Sequence, residues 1–541
     1  MSAQELGARY LIITHDNFYN DVLPLAEWKH KKGLRTKVIK LSEIGSSSYQ
    51  IKNYITQAYN TWPTPPEFLL LVGAPSYVPF AQISYTYTDN YYTNITGDIY
   101  NEILSGRLTV HSTTEAQSVI SKILAYERTP DITDSSWFTS TCLIARLDYD
   151  SDDSIYWSDV HHAADLMIDN GFTKIDTLSN YYGHNYTHIL AAVNEGRSIV
   201  MYRGSGLNNW YSPFNVDPNS AQNNTKVPIV LSLTCRTMGT GSSPSTAERW
   251  LLTGSAAQPR GAAGFFATTT TVVGQAYLRS AVCRGFIDAV FVDHKKTFGE
   301  ACEAGRINVY QMYPYQGGGD EYYGFTTLGD PAMNLWTAFP KALVVTHDTM
   351  LWTGEDTFNI HVEHDEMPVE SAYVCIVLDS TIYETGYTDN IGNLSFALSL
   401  DHEGDMSVTV TGTNLYPYEG VVSVVTGIEE SNQYPLLDPG SAIFKVMPSL
   451  FIGNTSIRLN AHAILKQSEN PELYICDVRG ARVKTYDLSR LPDAISYTVQ
   501  WSGLDDQNQV LPAGVYFIRL DIPGAGDNNT RSVIKKTIKL Q

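Results

Sequence analysis

Cysteine is scarce. The 541 residues hold 6 of them and no Cys-x-x-Cys pair, too few for a disulfide framework and without the spacing of a zinc or redox site. Cations are in deficit as well: 37 Lys and Arg stand against 57 Asp and Glu, a net charge of −20. Nucleic acid requires clustered cations to displace its counterions, so that class of partner is excluded. No apolar run approaches the ~20 residues that a membrane-spanning helix needs, so no transmembrane segment is expected. Met1-Ser2-Ala3-Gln4 opens without a basic region leading into an apolar stretch, and no signal peptide is expected there. Charged residues make up only 17% of the chain and hydrophobic residues 43%, a balance that supports buried cores and excludes disorder. In place of charge the surface has hydroxyls and amides; Tyr alone numbers 35.

At about 150 residues per domain, the length suggests roughly three or four domains. The first half alternates strands with helices. Tyr10-Leu11-Ile12-Ile13-Thr14 is a short continuous apolar run, as a strand buried on both faces requires. A helix is expected from Val22 to Lys32, closed by Gly33, then a strand at Arg35–Ile39, a helix from Ser48 to Tyr59, and a strand at Phe68–Val72. This βαβαβ order implies a parallel sheet with helices on its faces. The pattern restarts with strands at Thr141–Ala145, Ser198–Tyr202, Val227–Leu233 and Gly264–Thr268, and with helices at Asp159–Asn170 and Ala276–Val290. Two α/β subdomains follow, 1–132 and 133–340. Beyond Phe339-Pro340 short alternating strands recur every 8–12 residues, the pattern of a β-sandwich, assigned to 341–427. Residues 428–445, polar and punctuated by Pro435, Pro439 and Gly440, read as a linker, and 446–541 as a second all-β block.

In an open α/β sheet, reactive groups collect beyond the carboxyl ends of the strands. One such end runs into Arg203-Gly204-Ser205-Gly206 and another into Thr234-Cys235-Arg236. Cys142, Cys375 and Cys476 lie in apolar strand runs and Cys283 and Cys302 in helical stretches, where a thiol is a small buried hydrophobe. Cys235 alone sits at a strand exit, next to a cation, and is either a nucleophile or a semi-exposed structural residue.

Tyr202-Arg203-Gly204-Ser205-Gly206, Asn209-Trp210, Val227-Pro228 and Ser232-Leu233-Thr234-Cys235 together resemble the catalytic core of the gingipain family of cysteine peptidases. Ala26-Glu27-Trp28-Lys29, Leu70-Leu71-Val72-Gly73, Tyr100-Asn101-Glu102, Gly106-Arg107 and Gly329-Asp330-Pro331 extend the resemblance over roughly residues 8–430. It implies an α/β caspase-like catalytic region, mainly parallel sheets with helices on both faces, followed by immunoglobulin-like sandwiches. It also implies a secreted endopeptidase acting on protein or peptide substrates. Cys235 falls on the family's nucleophile, Ser205 on its histidine base, and Gly204, Gly206, Arg203 and Arg236 on the loops around them. Either arginine could favour the thiolate, but neither can protonate a departing amine. The family often binds structural calcium; Asp98 and Glu102, and Asp150 and Asp152, are the matching acidic candidates, each pair equally readable as a solvated loop. No organic cofactor is implied.

Residues 446–541 resemble a C-terminal module of exported bacterial proteins, related to the type IX secretion sorting signal and to hook-cap-like immunoglobulin domains. The residues that carry this are Trp501-Ser502-Gly503 and Leu511-Pro512-Ala513-Gly514-Val515-Tyr516-Phe517. They imply cell-surface attachment or self-assembly through that module. Three functions remain open: a secreted cysteine endopeptidase with an altered base, an inactive homologue serving as an extracellular binding or assembly protein, and an ester- or acyl-transferring enzyme that needs no amine acid.

Overall fold

Tyr10–Thr14 (β1) shows why the first half folds as a layered sheet: all five residues are buried, and alternate side chains enter different cores. Tyr10 and Ile12 pack with Val22, Leu25 and Trp28 of α1 (Tyr19–Lys31), whereas Leu11 and Ile13 pack with Ile51 and Ile55 of α2 (Ser48–Thr61). Each such side chain contributes about 1.5–3 kcal/mol on burial, so a strand apolar on both faces is held from both sides. The computed structural model describes residues 6–241, 243–271, 276–426, 443–466, 468, 470–492, 497–523 and 530–540.

The other strands of this sheet are β2 (Thr36–Lys40), β3 (Phe68–Val72), β4 (Leu104–Leu108), β5 (Ser140–Ala145), β6 (Lys174–Leu178), β7 (Ile199–Leu207), β8 (Ile229–Cys235), β9 (Gly264–Thr268) and β10 (Phe325–Leu328). Their order is β2-β1-β3-β4-β10-β9-β8-β7-β5-β6. All neighbours are parallel except β9 and β10, which run antiparallel. The sheet is thus two parallel halves joined at one antiparallel seam, and it is continuous across the segments 1–132 and 133–340. Longer helices between the strands are α3 (Thr113–Glu127), α4 (Asp153–Asp169), α5 (Tyr186–Glu195), α6 (Thr246–Leu252), α7 (Ala276–Phe291) and α8 (Phe298–Met312). Ser47 with Gln50 and Thr297 with Glu300 close capping boxes that satisfy the first N–H groups of α2 and α8.

Several residues that carried the family resemblance hold this architecture together. Lys29 on α1 pairs with Glu127 at the end of α3 (2.6 Å) and with Asp330 in the turn after β10; Lys32 also pairs with Glu127 (2.6 Å). Trp28 Nε1 donates to Glu127 (2.7 Å) and Tyr10 Oη to Asp330 (2.8 Å). Two cations and two carboxylates, all buried, form a neutral knot between three elements. Arg107 on β4, fully buried, donates to both oxygens of Asp89 and to the carbonyls of Gly73 and Val78.

The all-β region that follows has two sheets, in which the strands named here pair antiparallel. One contains β11 (Val344–His347), β12 (Gly354–His364) and β15 (Asn393–Leu400); the other contains β13 (Tyr373–Leu378), β14 (Ile382–Tyr387) and β16 (Gly404–Thr411). Alternate residues of β12, Phe358, Ile360 and Val362, are buried, as a half-buried strand requires. Tyr373 Oη donates to the Gly33 carbonyl at the end of α1 (3.3 Å), and Arg128 pairs with Glu419 (2.6 Å).

From residue 443 a further all-β block is built on its own core, with Ile457, Leu473, Ile475, Ile518 and Leu520 fully buried. Phe444–Met447 pairs with Thr455–Leu459, and Glu472–Cys476 pairs with Gly514–Pro523, which pairs with Thr530–Lys539. The first of these strands crosses the expected boundary between 445 and 446. The expected linker, 428–445, lies outside the described residues up to 442.

Candidate active site

The site forms because β7 and β8 fall out of register at their carboxyl ends. Arg203 lies opposite Leu233 and Leu207 opposite Cys235, so β7 takes four steps where β8 takes two. Gly204-Ser205-Gly206, three residues opposite Thr234 alone, bulge from the ladder and expose a side chain at the strand end. Both glycines are required there. Gly204 has φ +144°, and a Cβ on it would lie 2.7 Å from Arg146 Cβ and 2.9 Å from the Arg146 carbonyl oxygen; one on Gly206 would lie 2.7 Å from the Asn209 carbonyl oxygen. Gly206 and Trp210 close a bridge beyond the bulge, Tyr202 stacks on Trp210 (4.6 Å), and the Tyr202 hydroxyl donates to the Ser205 carbonyl (2.6 Å). These contacts fix the backbone that carries Ser205.

A cleft of about 390 Å³ opens over the two strand ends, and Cys235 and Ser205 both line it, each half-buried. The remaining cysteines are buried, and burial pushes their thiols up, Cys302 to about 12. Gly204, Gly206, Arg203 and Arg236 also line the cleft, so the expected loop residues do come together. Tyr211 joins them, as do Tyr156, Thr271 and Arg279, which the sequence did not single out. Tyr156 was missed because α4 begins at Asp153 rather than near Asp159, within a run of acidic residues that resembled a cation loop.

Arg203 does not serve as a free cation for the thiol. Its guanidinium is 1% exposed and its Nε donates to Asp159 (2.7 Å), itself fully buried. Its other nitrogens donate to the Leu233 carbonyl (2.7 Å) and the Ala276 carbonyl (2.9 Å), tying β7 to β8 and to the start of α7. Asp159 also accepts from Ser280 (2.6 Å) and Arg284 (3.1 Å). Arg236, with φ +34°, donates from Nε to Asn208 (2.9 Å) and remains at the cleft beside Cys235.

Among the described residues no histidine lines this cleft. His184 Nδ1 accepts from the Ser179 N–H (3.1 Å) and His188 Nδ1 from the Asn185 N–H (3.2 Å), so both are held in a turn and a helix cap. His161 and His162 line a separate open groove with Trp157, Asp165 and Arg284, where His162 pairs with Asp288 (2.6 Å).

Three of the four acidic calcium candidates accept hydrogen bonds within their own loops. Glu102 accepts from the N–H groups of Ile95 and Thr96 and from the Thr96 hydroxyl; Asp98 accepts from the Tyr100 N–H (2.8 Å) and Asp150 from the Asp152 N–H (2.9 Å). Asp152 precedes α4 and lines the Cys235 cleft instead. Among the described residues no group of three His, Cys, Asp or Glu converges as a metal site. Glu102, Asp98 and Asp150 thus order their own loops.

Comparison with known proteins agrees with this architecture. The profile of peptidase family C25 matches residues 3–336. Gingipain R1 of Porphyromonas gingivalis is 23% identical over 448 residues, which cover 80% of this chain and 44% of that protein. Lys-gingipain of the same organism is 23% identical over 466 residues, 79% of this chain and 26% of that protein. The chain therefore spans less than half the length of these curated relatives. The crystal structure of the Arg-specific cysteine proteinase gingipain R superposes with a TM-score of 0.70 at 23% identity, over 78% of this chain and 99% of that one. The complex of the RgpB pro- and mature domains matches with a TM-score of 0.70 at 22% identity, over 77% of this chain and 100% of that one. At this identity the likeness establishes the fold, a caspase-like α/β region followed by strands. The profile match spans more than half the residues, and on that ground the chain belongs to peptidase family C25.

Proposed function

We propose that the chain takes a polypeptide into the β7–β8 cleft and is acylated at Cys235, and that its hydrolysis of amides is weakened because Ser205 stands at the histidine position. The observation that supports this is the composition of the cleft: a half-buried thiol and Ser205 share it, and no imidazole among the described residues joins them. A thiolate attacking a carbonyl needs no acid, but the amine that departs must be protonated. General acid–base catalysis typically contributes 10²–10⁴-fold, or about 3–5 kcal/mol of barrier. Activated esters, whose leaving groups depart as anions, escape that penalty.

The experiment is labelling of the purified chain with a peptidyl chloromethyl ketone, read by mass spectrometry. Modification at Cys235, absent in Cys235→Ala, is expected. An unmodified Cys235 would instead favour a second reading, that of an inactive homologue whose Leu207–Tyr211 hairpin, with Leu207 and Tyr211 exposed, is a contact surface for extracellular binding or assembly. That reading draws its support from the missing imidazole. Under either reading we assign the chain to the cell exterior, with the block from residue 443 acting in export, surface attachment or assembly. The support is the sequence resemblance of that block, and no helix among the described residues is long and apolar enough to cross a membrane.

A further inference from the structure

Arg203, Arg236 and Arg279 line the Cys235 cleft, and their counter-charges are distributed unequally. Arg203 is held by Asp159 (2.7 Å) and Arg279 by Glu321 (2.9 Å); both carboxylates are fully buried and neither lines the cleft. Arg236, half-buried and next to Cys235 in the chain, differs. Its Nε donates to the neutral Asn208 side chain (2.9 Å), and among the described residues no carboxylate pairs with it. The terminal nitrogens of a guanidinium form a planar fork that fits a carboxylate side-on. The backbone is strained to place this one. Arg236 has φ +34° and Asn208 φ +63°, left-handed values that are unfavourable for L-residues, for arginine more than for asparagine. Both are tied down elsewhere: the Arg236 N–H donates to the Thr270 carbonyl (2.8 Å), and the Asn208 carbonyl accepts from the Thr246 hydroxyl (2.8 Å). Strain of this kind gathers at functional sites, where the surrounding structure holds it in place.

Resting on the reading of Cys235 as the nucleophile, we propose that the cleft selects an acidic substrate, and that Arg236 binds the carboxylate of an aspartate or glutamate whose own carbonyl Cys235 attacks. Arg236 is then a specificity-determining residue. It follows Cys235 directly, about 3.8 Å away along the chain, and both line one cleft, so the residue bearing the attacked carbonyl is the one placed to reach it. A carboxylate there supplies the counter-ion that the chain itself does not. A neutral side chain would displace water from the guanidinium without replacing its charge partner. A cationic one would meet Arg236 with only Asp152, among the described acidic residues of the cleft, to receive it. Charge-assisted hydrogen bonds of this type contribute about 10–100-fold over an uncharged isostere.

The test measures how fast peptidyl chloromethyl ketones alkylate Cys235 when Asp, Glu, Gln or Arg is the residue bearing the ketone, on the full chain and on Arg236→Gln and Arg236→Glu. The acidic probes are expected to react about 10–100-fold faster than the Gln probe, with the Arg probe slowest. Arg236→Gln should bring the Glu-to-Gln rate ratio close to one, and Arg236→Glu should invert the order of the Glu and Arg probes. If Arg236 serves instead to hold the thiolate, its replacement slows all the probes alike and leaves their ratios where they were, and that result overturns the proposal. So does a parent chain that the Gln or the Arg probe labels as fast as the acidic ones, a comparison that stands even where a variant fails to fold. In both of these outcomes Cys235 remains the nucleophile. Failure of that underlying reading is recognised separately, because no probe then labels Cys235.

Discussion

Asp159→Asn removes a charge 2.7 Å from a guanidinium that water cannot reach. Asp159 is the carboxylate partner of both Arg203 and Arg284. Arg284, one-third exposed, can turn to solvent, but Arg203 is 1% exposed and cannot. Breaking a buried pair from one side costs about 3–5 kcal/mol, because the remaining charge is left desolvated. A shift of Arg203 would also release the carbonyls of Leu233 and Ala276, each worth about 1–3 kcal/mol if left unpaired and buried. The asparagine still accepts one hydrogen bond, which offsets part of these losses and holds the total near the first figure. Urea unfolding followed by tryptophan fluorescence reads it well, as Trp28, Trp137, Trp210, Trp250 and Trp336 all belong to the core of the α/β region. The double variant Asp159→Leu/Arg203→Met should recover part of the loss, because it removes both buried charges, but not all of it, because the two carbonyls keep no donor. An Asp159→Asn protein as stable as the parent, within about 0.5 kcal/mol, would refute the assignment of Arg203 to structure and return it to the thiol.

Two further outcomes are expected. Burial pushes the Glu127 carboxyl up, but Lys29 and Lys32 outweigh it and hold the group below the ordinary carboxylate range. A depressed folded pKa contributes stability that is present above the unfolded value of about 4.3 and is lost as pH falls through the folded one. Glu127→Gln should therefore cost about 3–5 kcal/mol at neutral pH and flatten the decline in stability below about pH 4, and an unchanged acid profile would count against the buried knot. Truncation after residue 426 should leave the α/β region folded and abolish surface attachment in cell fractionation, and a truncated chain that still fractionates with the surface would remove the role given to the C-terminal block.

Strands legible in the sequence were those with unbroken apolar runs, such as Tyr10–Thr14, Phe68–Val72 and Gly264–Thr268, because burial on both faces leaves no room for polar residues. Leu104–Leu108 escaped notice because it carries Gly106 and Arg107, and an arginine enters a sheet centre only when a distant partner, here Asp89, neutralises it. Phe325–Leu328, the seam strand, is four residues long and half threonine, too short for any periodicity. At the site, Cys235 and Ser205 were legible as strand-end residues, but the slip in register that sets them on one cleft arises from pairing between strands far apart in sequence. The arginine beside Ser205 looked like an activator because its buried partner, Asp159, lies 44 residues away on a helix whose start was placed too late.

The residues behind the resemblance divide into two groups, and the division bears on what family membership implies. Trp28, Lys29, Arg107 and Asp330 are buried in ion pairs and hydrogen bonds that join α1, α3, β4 and the turn after β10. Tyr202 and Trp210 stack to hold the bulge, and Gly204 and Gly206 permit it. These contacts hold the fold, so each would be retained by any sequence that keeps it, whether or not it turns over a peptide. Residue 205 belongs to the other group. Its backbone is fixed by the Tyr202 hydroxyl and by the register slip, while its half-buried side chain lines the cleft. On the reading proposed above, histidine and serine at this position differ in chemistry, because only an imidazole exchanges a proton near neutral pH. The amide-to-ester ratio, rather than structural similarity, therefore tests whether the chain acts as a peptidase.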